Sequence, residues 1–129
     1  MQYMLLIYDD ETLWERLPAG EIEQVMQEFG KFTTDLQESG AFVSASRLQP
    51  TANATSVRVR DGERLVTDGP FAETKEQLGG YYVVEADSLD DALAWAAKIP
   101  SARYGTVEVR PLWNMAPGDA EQAGAQARA

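Results

Sequence analysis

Two short segments of the chain carry large apolar side chains on both sides of an extended backbone. From Tyr3 to Tyr8 every side chain is apolar or aromatic, and residues 81–86 are nearly so. A strand that is half exposed alternates apolar and polar residues, whereas a strand buried on both faces is apolar throughout. The pattern therefore predicts two strands in the interior of a sheet.

Two other segments repeat apolar residues at helical spacing. Between Ile22 and Leu36 apolar residues recur every three or four positions, and Gly40 follows as a stop signal. A second apolar stripe occupies residues 89–99, and Ser88 and Asp91 precede it with the spacing of a capping pair. The sequence predicts one long and one shorter helix.

The remaining segments predict short strands and turns. Residues 41–48 and 106–110 are expected to be strands, and Asp61-Gly62 is a strong hairpin signal between two further strands. Residues 67–80 are rich in turn residues. Within this segment we expect a short helix over residues 72–78, because Gly79 and Gly80 would end it.

With the hairpin set aside, the element order is βαββαβ, which predicts an α+β, ferredoxin-like fold with an inserted β-hairpin. Residues 2–8 and 81–86 are then the central strands, and both helices pack on one sheet face. The other face is also apolar, and burying four such side chains contributes about 6–12 kcal/mol before association costs. A second copy of the sheet is the simplest cover. The alternative is that the hairpin or the C-terminal tail folds across it.

Composition restricts the partners. The 129 residues predict a single domain over residues 1–115 and a flexible tail over residues 116–129, where no apolar period continues. The net charge of −10 would repel a phosphate backbone, so no nucleic-acid partner is expected. The longest apolar run is too short for a membrane span or a signal peptide, so we expect a cytoplasmic protein without a membrane partner.

The chain has no cysteine and no histidine. Disulfides, thiol nucleophiles and the side chain that titrates near neutral pH are therefore excluded. No metal-ligand spacing and no glycine-rich phosphate loop occurs, so no metal and no cofactor is expected. Acid–base chemistry would have to come from Asp, Glu, Lys, Tyr or Arg.

Asp68 and Arg47 are the candidate catalytic residues. Arg47 lies in an otherwise small and apolar strand, so its guanidinium needs a carboxylate such as Asp68 or Glu73, or else it binds an anionic substrate. We expect Arg47 and Asp68 to face each other across a polar cavity. Asp68 could be a general base, or it could merely accept a hydrogen bond within its own turn.

The candidate ligand-binding residues lie mainly in and around the turn-rich segment, where a rigid scaffold commonly carries its site. The alternatives are core packing for the tyrosines, turn formation for the glycine and a solvated surface for the charged residues. These candidates are Tyr8, Gly69, Phe71, Glu73, Lys75, Tyr82 and Arg103.

The segment that opens with Asp68-Gly69-Pro70-Phe71 and runs to Tyr82 resembles the signature of the YCII-related family, whose DGPF subgroup takes its name from that tetrapeptide. The resemblance continues through residues 88–92 and 108–111 and covers most of residues 2–113. It implies a ferredoxin-like fold assembled as a dimeric α/β barrel. It agrees with the double-sided apolar strands, which predict a homodimer independently.

The resemblance implies two different functions. DGPF members are often encoded beside extracytoplasmic-function sigma factors, which implies an accessory protein that binds a small molecule or a partner in such a response. Relatives of the same architecture include muconolactone isomerases and a chloromuconolactone dehalogenase. Better-studied family members have a His–Asp pair in a cleft, which this histidine-free chain cannot form. The alternative is therefore a histidine-independent enzyme using Asp68, Arg47 and a tyrosine or lysine.

Overall fold

The computed structural model describes residues 1–113. Within this range there are four α-helices, a short 3₁₀ turn at Thr51–Asn53, and six strands. The helices are α1 (Glu11–Arg16), α2 (Ala19–Glu38), α3 (Leu89–Lys98) and α4 (Ser101–Tyr104). The strands are β1 (Gln2–Asp9), β2 (Phe42–Arg47), β3 (Thr55–Arg60), β4 (Glu63–Asp68), β5 (Gln77–Glu85) and β6 (Thr106–Pro111).

The strands form two antiparallel sheets, which confirms the predicted α+β class. The main sheet has the order β2-β5-β1-β6, so β1 and β5 occupy its centre. In its register Leu5 lies opposite Tyr82 of β5 and Val109 of β6. Strands β3 and β4 pair only with each other, on either side of the predicted turn, where Asp61 and Gly62 both have positive φ.

Both predicted helices form because their apolar stripes meet the main sheet. The buried residues of α2 are Val25, Phe32 and Leu36, and the chain leaves this helix through Gly40 with φ +81°. Only glycine adopts that conformation without steric cost. Helix α3 begins where the Ser88 hydroxyl accepts a hydrogen bond from the backbone N–H of Asp91, as the capping spacing predicts.

The hydrophobic core lies between these helices and one face of the main sheet. Tyr3, Leu5 and Ile7 of β1 contribute to it, and Leu5 and Leu36 are fully buried. Phe32 packs edge-on against Tyr82, with ring centroids 5.0 Å apart. Alternate residues of β1 therefore all point toward the helices.

The opposite sheet face is only partly covered. Met4, Leu6 and Tyr8 of β1 are half-buried, between the fully packed positions of the same strand. The hairpin does not fold across this face, because all of its strand residues except Ser56 are exposed. The predicted tail at residues 116–129 lies outside the described residues.

The prediction of a helix over residues 72–78 is wrong. Strand β5 already begins at Gln77, and Gly79 and Gly80 are strand residues with negative φ rather than turn residues. A Cβ on Gly80 would lie 2.8 Å from the carbonyl oxygen of Ser46, so this glycine allows β5 and β2 to approach closely. Long-range strand pairing therefore overrides the local turn preference.

None of the helices within residues 1–113 combines the length and the apolarity that a membrane span requires.

Helix α4, which the sequence pattern does not predict, connects α3 to β6 through a tightly packed glycine. A Cβ on Gly105 would lie 2.1 Å from the carbonyl oxygen of Tyr8 and 2.9 Å from Cα of Asp9. The backbone after α4 thus touches the end of β1 directly. No other residue fits there without moving one of the two segments.

We expect Gly105→Ala to lower the free energy of unfolding by about 1–3 kcal/mol or more, because the added methyl group overpacks a backbone contact. Chemical denaturation monitored by circular dichroism measures the loss. Gly30→Ala is the matched control, since a methyl group on this residue of α2 would meet no atom of another segment within 4 Å. That change should stabilise the protein by about 0.5–1 kcal/mol. Equal effects of the two substitutions would contradict this account of Gly105.

Candidate functional site

The most unusual buried side chain is Asp9, the last residue of β1. Asp9 continues the inward positions of Leu5 and Ile7 and is only 7% exposed. Its carboxylate accepts a hydrogen bond of 3.2 Å from the hydroxyl of Ser101, the first residue of α4. Buried carboxylates are rare in proteins unless they are paired or hydrogen-bonded. Asp9 is therefore the first candidate for a functional group.

Burial raises the pKa of Asp9 above its usual value of 3.8. The nearby carboxylates of Glu76 and Glu11 raise the pKa further, whereas the Trp14 side chain and the hydrogen bond from Ser101 lower it. Desolvation and like charge both favour the protonated form of a carboxyl group. A carboxyl group of this kind is suited to exchange a proton or to donate a hydrogen bond.

Glu11 holds the segments around Asp9 in place. Its carboxylate accepts hydrogen bonds from the backbone N–H and from the hydroxyl of Thr51, both at 2.7 Å. The backbone N–H of Glu11 donates to the side-chain carbonyl of Gln77 at 3.0 Å. The start of α1 is thereby tied to the segment after β2 and to the start of β5. Both oxygens of Glu11 are occupied by this structural role.

A cavity of about 570 Å³ lies between the main sheet and helices α1 and α2. Asp9, Ser101 and Tyr82 are buried residues of its lining that carry polar groups. Trp14 of α1 and Phe29 of α2 contribute much of its apolar wall. The volume falls within the range of about 300–1,000 Å³ typical of small-molecule sites, and an apolar wall with few polar groups is their usual composition.

Arg47 lines this cavity from the edge strand β2 and is exposed. It is the one basic residue among the described residues that line the cavity. Within residues 1–113 no carboxylate comes within ion-pair distance, 4.0 Å, of its guanidinium. Over the same range, no three Asp or Glu side chains converge into a metal-binding group. The cavity lining thus includes a buried acid and an exposed cation.

The structure brings two of the predicted site residues into this cavity, Arg47 and Tyr82. Tyr82 is buried, and its hydroxyl lies 2.7 Å from the hydroxyl of Thr33, so its polar group is satisfied. Asp68 is exposed at the end of β4 and does not line the cavity. The expected ion pair between Arg47 and Asp68 is not formed.

The other predicted ligand-binding residues lie elsewhere. Tyr8 is half-buried on the sheet face away from the helices, because it alternates with the inward Ile7. Gly69 has φ +98°, which agrees with the turn interpretation, and its N–H donates to the carbonyl of Ala54. Arg103 forms an ion pair of 2.6 Å with Glu28, which joins α4 to α2. The remaining three are exposed, namely Phe71, Glu73 and Lys75.

The sequence interpretation missed Asp9, Trp14 and Ser101. For Asp9 a signal existed, because it continues the two-residue period of Leu5 and Ile7 and a carboxylate at such a position must be buried. Trp14 and Ser101 carry no comparable local signal. They reach Asp9 only through the packing of α1 and α4 against the end of β1.

Comparison with known proteins identifies the family to which this chain belongs. The family model of the YCII-related domain matches residues 1–116 of the chain. The chain is also 40% identical over 121 residues to the uncharacterized protein R00369 of Rhizobium meliloti (strain 1021). The aligned region covers 92% of this chain and 98% of that protein. The chain therefore belongs to the YCII-related family.

We expect the stability of the Asp9→Asn variant, measured relative to that of the wild type, to increase as the pH rises. The folded state raises the pKa of Asp9 above 3.8, so it binds the proton more tightly than the unfolded chain does. Wild-type stability therefore falls as the pH rises through the folded-state pKa, whereas Asn does not titrate. The difference in Tm between variant and wild type should increase by a few degrees between about pH 3.5 and pH 7.

Asp10→Asn is the adjacent control with the opposite sign. Hydrogen bonds from Thr12 lower the pKa of Asp10, so wild-type Asp10 stabilises the fold above the unfolded-state pKa and loses this contribution in acid. The Tm difference for this variant should decrease as the pH rises. A Tm difference for Asp9→Asn that is constant or decreasing with pH would show that its pKa is not raised.

Proposed function

We propose that this YCII-related protein is a cytoplasmic homodimer of the DGPF subgroup that binds a small molecule in the cavity beside Asp9. The observation that carries the proposal is the cavity itself, which has a volume of about 570 Å³ and a largely apolar wall that includes some polar groups. In this role the protein serves as an accessory component of a sigma-factor-linked response, as its resemblance to the DGPF subgroup implies.

The strand order supports a ferredoxin-like fold. Without the β3–β4 hairpin the elements follow the order βαββαβ, and the first and third strands of this repeat, β1 and β5, are central. The buried residues of α2 and α3 pack on one face of the sheet. The second face is then available to a partner, which is the arrangement that a dimeric α/β barrel requires.

The half-buried apolar residues of the second face support the homodimer. Met4, Leu6 and Tyr8 alternate with fully buried neighbours, and the hairpin leaves them uncovered. A two-fold dimer would cover this face with the same surface of the second copy. Apolar side chains of both protomers would then be removed from contact with water. This burial of apolar surface is the main driving force for such association.

A histidine-independent enzyme is the second candidate, and the raised pKa of Asp9 favours it. Asp68 lies outside the cavity, so Asp9 replaces it as the acid–base group of this candidate, with Arg47 as the group that holds an anionic substrate. A carboxyl group with a raised pKa in a cleft is a common feature of acid–base catalysis. The buried position of Asp9 beside Ser101 provides such a setting.

We expect the neutral fluorophore N-phenyl-1-naphthylamine to bind the cavity with one molecule per chain, because its aromatic rings match the apolar wall in size and character. Fluorescence titration measures the binding. Ala45 lines the cavity from β2 and is exposed, so Ala45→Trp should fill the space without disturbing the core. The variant should bind the dye at least about tenfold more weakly.

Ala97→Leu provides the matched control for this titration. It adds apolar volume to an exposed position of α3 that does not line the cavity, so the dye should bind as it does to the wild type. If Ala45→Trp and Ala97→Leu bound the dye equally well, or if the wild type did not bind it, the cavity would not be a small-molecule site.

For the dimer, we expect sedimentation at micromolar concentration to give twice the chain mass of 14.2 kDa. Leu6→Asp should yield a folded monomer, because it places a charge in the centre of the second sheet face. Val59→Asp is the control, since Val59 is 63% exposed in the hairpin and lies outside that face. If the wild type sedimented as a monomer, the homodimer would be excluded. If both Leu6→Asp and Val59→Asp converted the dimer to monomers, the hairpin would instead lie in the interface.

A further inference from the structure

The charged groups that line the cavity differ in whether they already have partners. Arg47 has no carboxylate within ion-pair distance among residues 1–113, as described above. Glu11, in contrast, accepts two hydrogen bonds from Thr51, one on each carboxylate oxygen. Asp9 is buried and accepts a hydrogen bond from the Ser101 hydroxyl. The remaining charged group of the lining, Glu15, is an exposed carboxylate, so the guanidinium is the one charged group of the described lining that can attract an anion.

Strand pairing places Arg47 in one row with Gly80 and Ile7, which also line the cavity. Arg47 lies opposite Gly80 in the register between β2 and β5, and Gly80 lies opposite Ile7 of β1. Gly80 is buried, and it has no side chain to separate β5 from β2 at this point. A Cβ there would lie 2.8 Å from the carbonyl oxygen of Ser46, so the close strand approach requires glycine.

Large apolar side chains also line the cavity. Trp14, Met26 and Phe29 line it from α1 and α2, and Ile7 lines it from the sheet. A ligand that satisfies both parts needs a hydrophobic body and one anionic group at its end. Guanidinium groups bind carboxylates and similar oxyanions through paired N–H donors, so the match is chemically specific.

On the basis of the proposed small-molecule function, we infer that the ligand is an apolar organic anion, whose hydrophobic body contacts Trp14 and Phe29 and whose carboxylate or equivalent group binds Arg47. The chain as a whole carries a net charge of −10 and repels anions. A preference for an anionic ligand over its neutral counterpart must therefore come from a local contact. Arg47 provides that contact within the described cavity.

Two dyes with the same ring system test this inference. 8-Anilinonaphthalene-1-sulfonate is N-phenyl-1-naphthylamine with an added sulfonate, so the pair differs in the anionic group. Wild-type protein should bind the sulfonate at least about tenfold more tightly than the neutral dye, since a charge-assisted hydrogen-bond pair contributes on this scale. Arg47→Gln should remove this preference and leave the affinity for the neutral dye unchanged. Arg47→Lys, which keeps the charge but not the paired donors, should retain part of it.

Arg58→Gln is the control, because Arg58 is an exposed cation of the hairpin and does not line the cavity. Its preference for the sulfonate should equal that of the wild type. The inference is wrong if the two dyes bind the wild type equally, or if Arg58→Gln reduces the preference as much as Arg47→Gln does. In either case the proposed small-molecule site would still stand, provided that the neutral dye remains sensitive to Ala45→Trp. Insensitivity of both dyes to Ala45→Trp would overturn the site and the inference together.

Discussion

The inward register of β1 is the constraint on which both the core and the candidate site depend. Alternate side chains of a strand point to the same face, so the burial of Leu5 and Ile7 against the helices also carries Asp9 inward. The glycine contact at Gly105 then holds α4 against the end of this strand. A slip of one residue would expose Asp9 and bury Tyr8 instead. The same packing that stabilises the fold thus creates a buried acid.

In a chain without histidine, the environment of each carboxylate decides its chemistry. Asp9 and Asp10 are neighbours in sequence, but burial raises the pKa of Asp9, whereas hydrogen bonds from Thr12 lower that of Asp10. Asp10 caps α1, and Asp9 lies against the cavity. The lining also contains the exposed guanidinium of Arg47 and several large apolar side chains. The apolar wall and the guanidinium are the basis for a ligand with one apolar and one charged part.

The elements that sequence alone predicted are those whose signals are local or periodic. The stripe of α2, the cap at Ser88 and the turn at Asp61-Gly62 depend on neighbouring residues, so their pattern is legible without the rest of the chain. The central position of β1 and β5 also followed from the sequence, because only an interior strand carries large apolar side chains on both faces. Arg47 and Tyr82, two of the residues expected at the site, both line the cavity, but the expected partner of Arg47, Asp68, does not.

Tertiary structure decided which residues meet across long distances in sequence. Asp68 was the expected partner of Arg47 because both lie near the turn-rich segment, but strand pairing places Asp68 in a separate hairpin. Strand pairing likewise converts the glycines after Gln77 from expected turn residues into part of β5. Asp9, Trp14 and Ser101 come together only because α1 and α4 pack against the end of β1. The sequence by itself determined the elements and their faces, whereas the composition of the cavity depends on contacts between segments up to 92 residues apart, which no local pattern encodes.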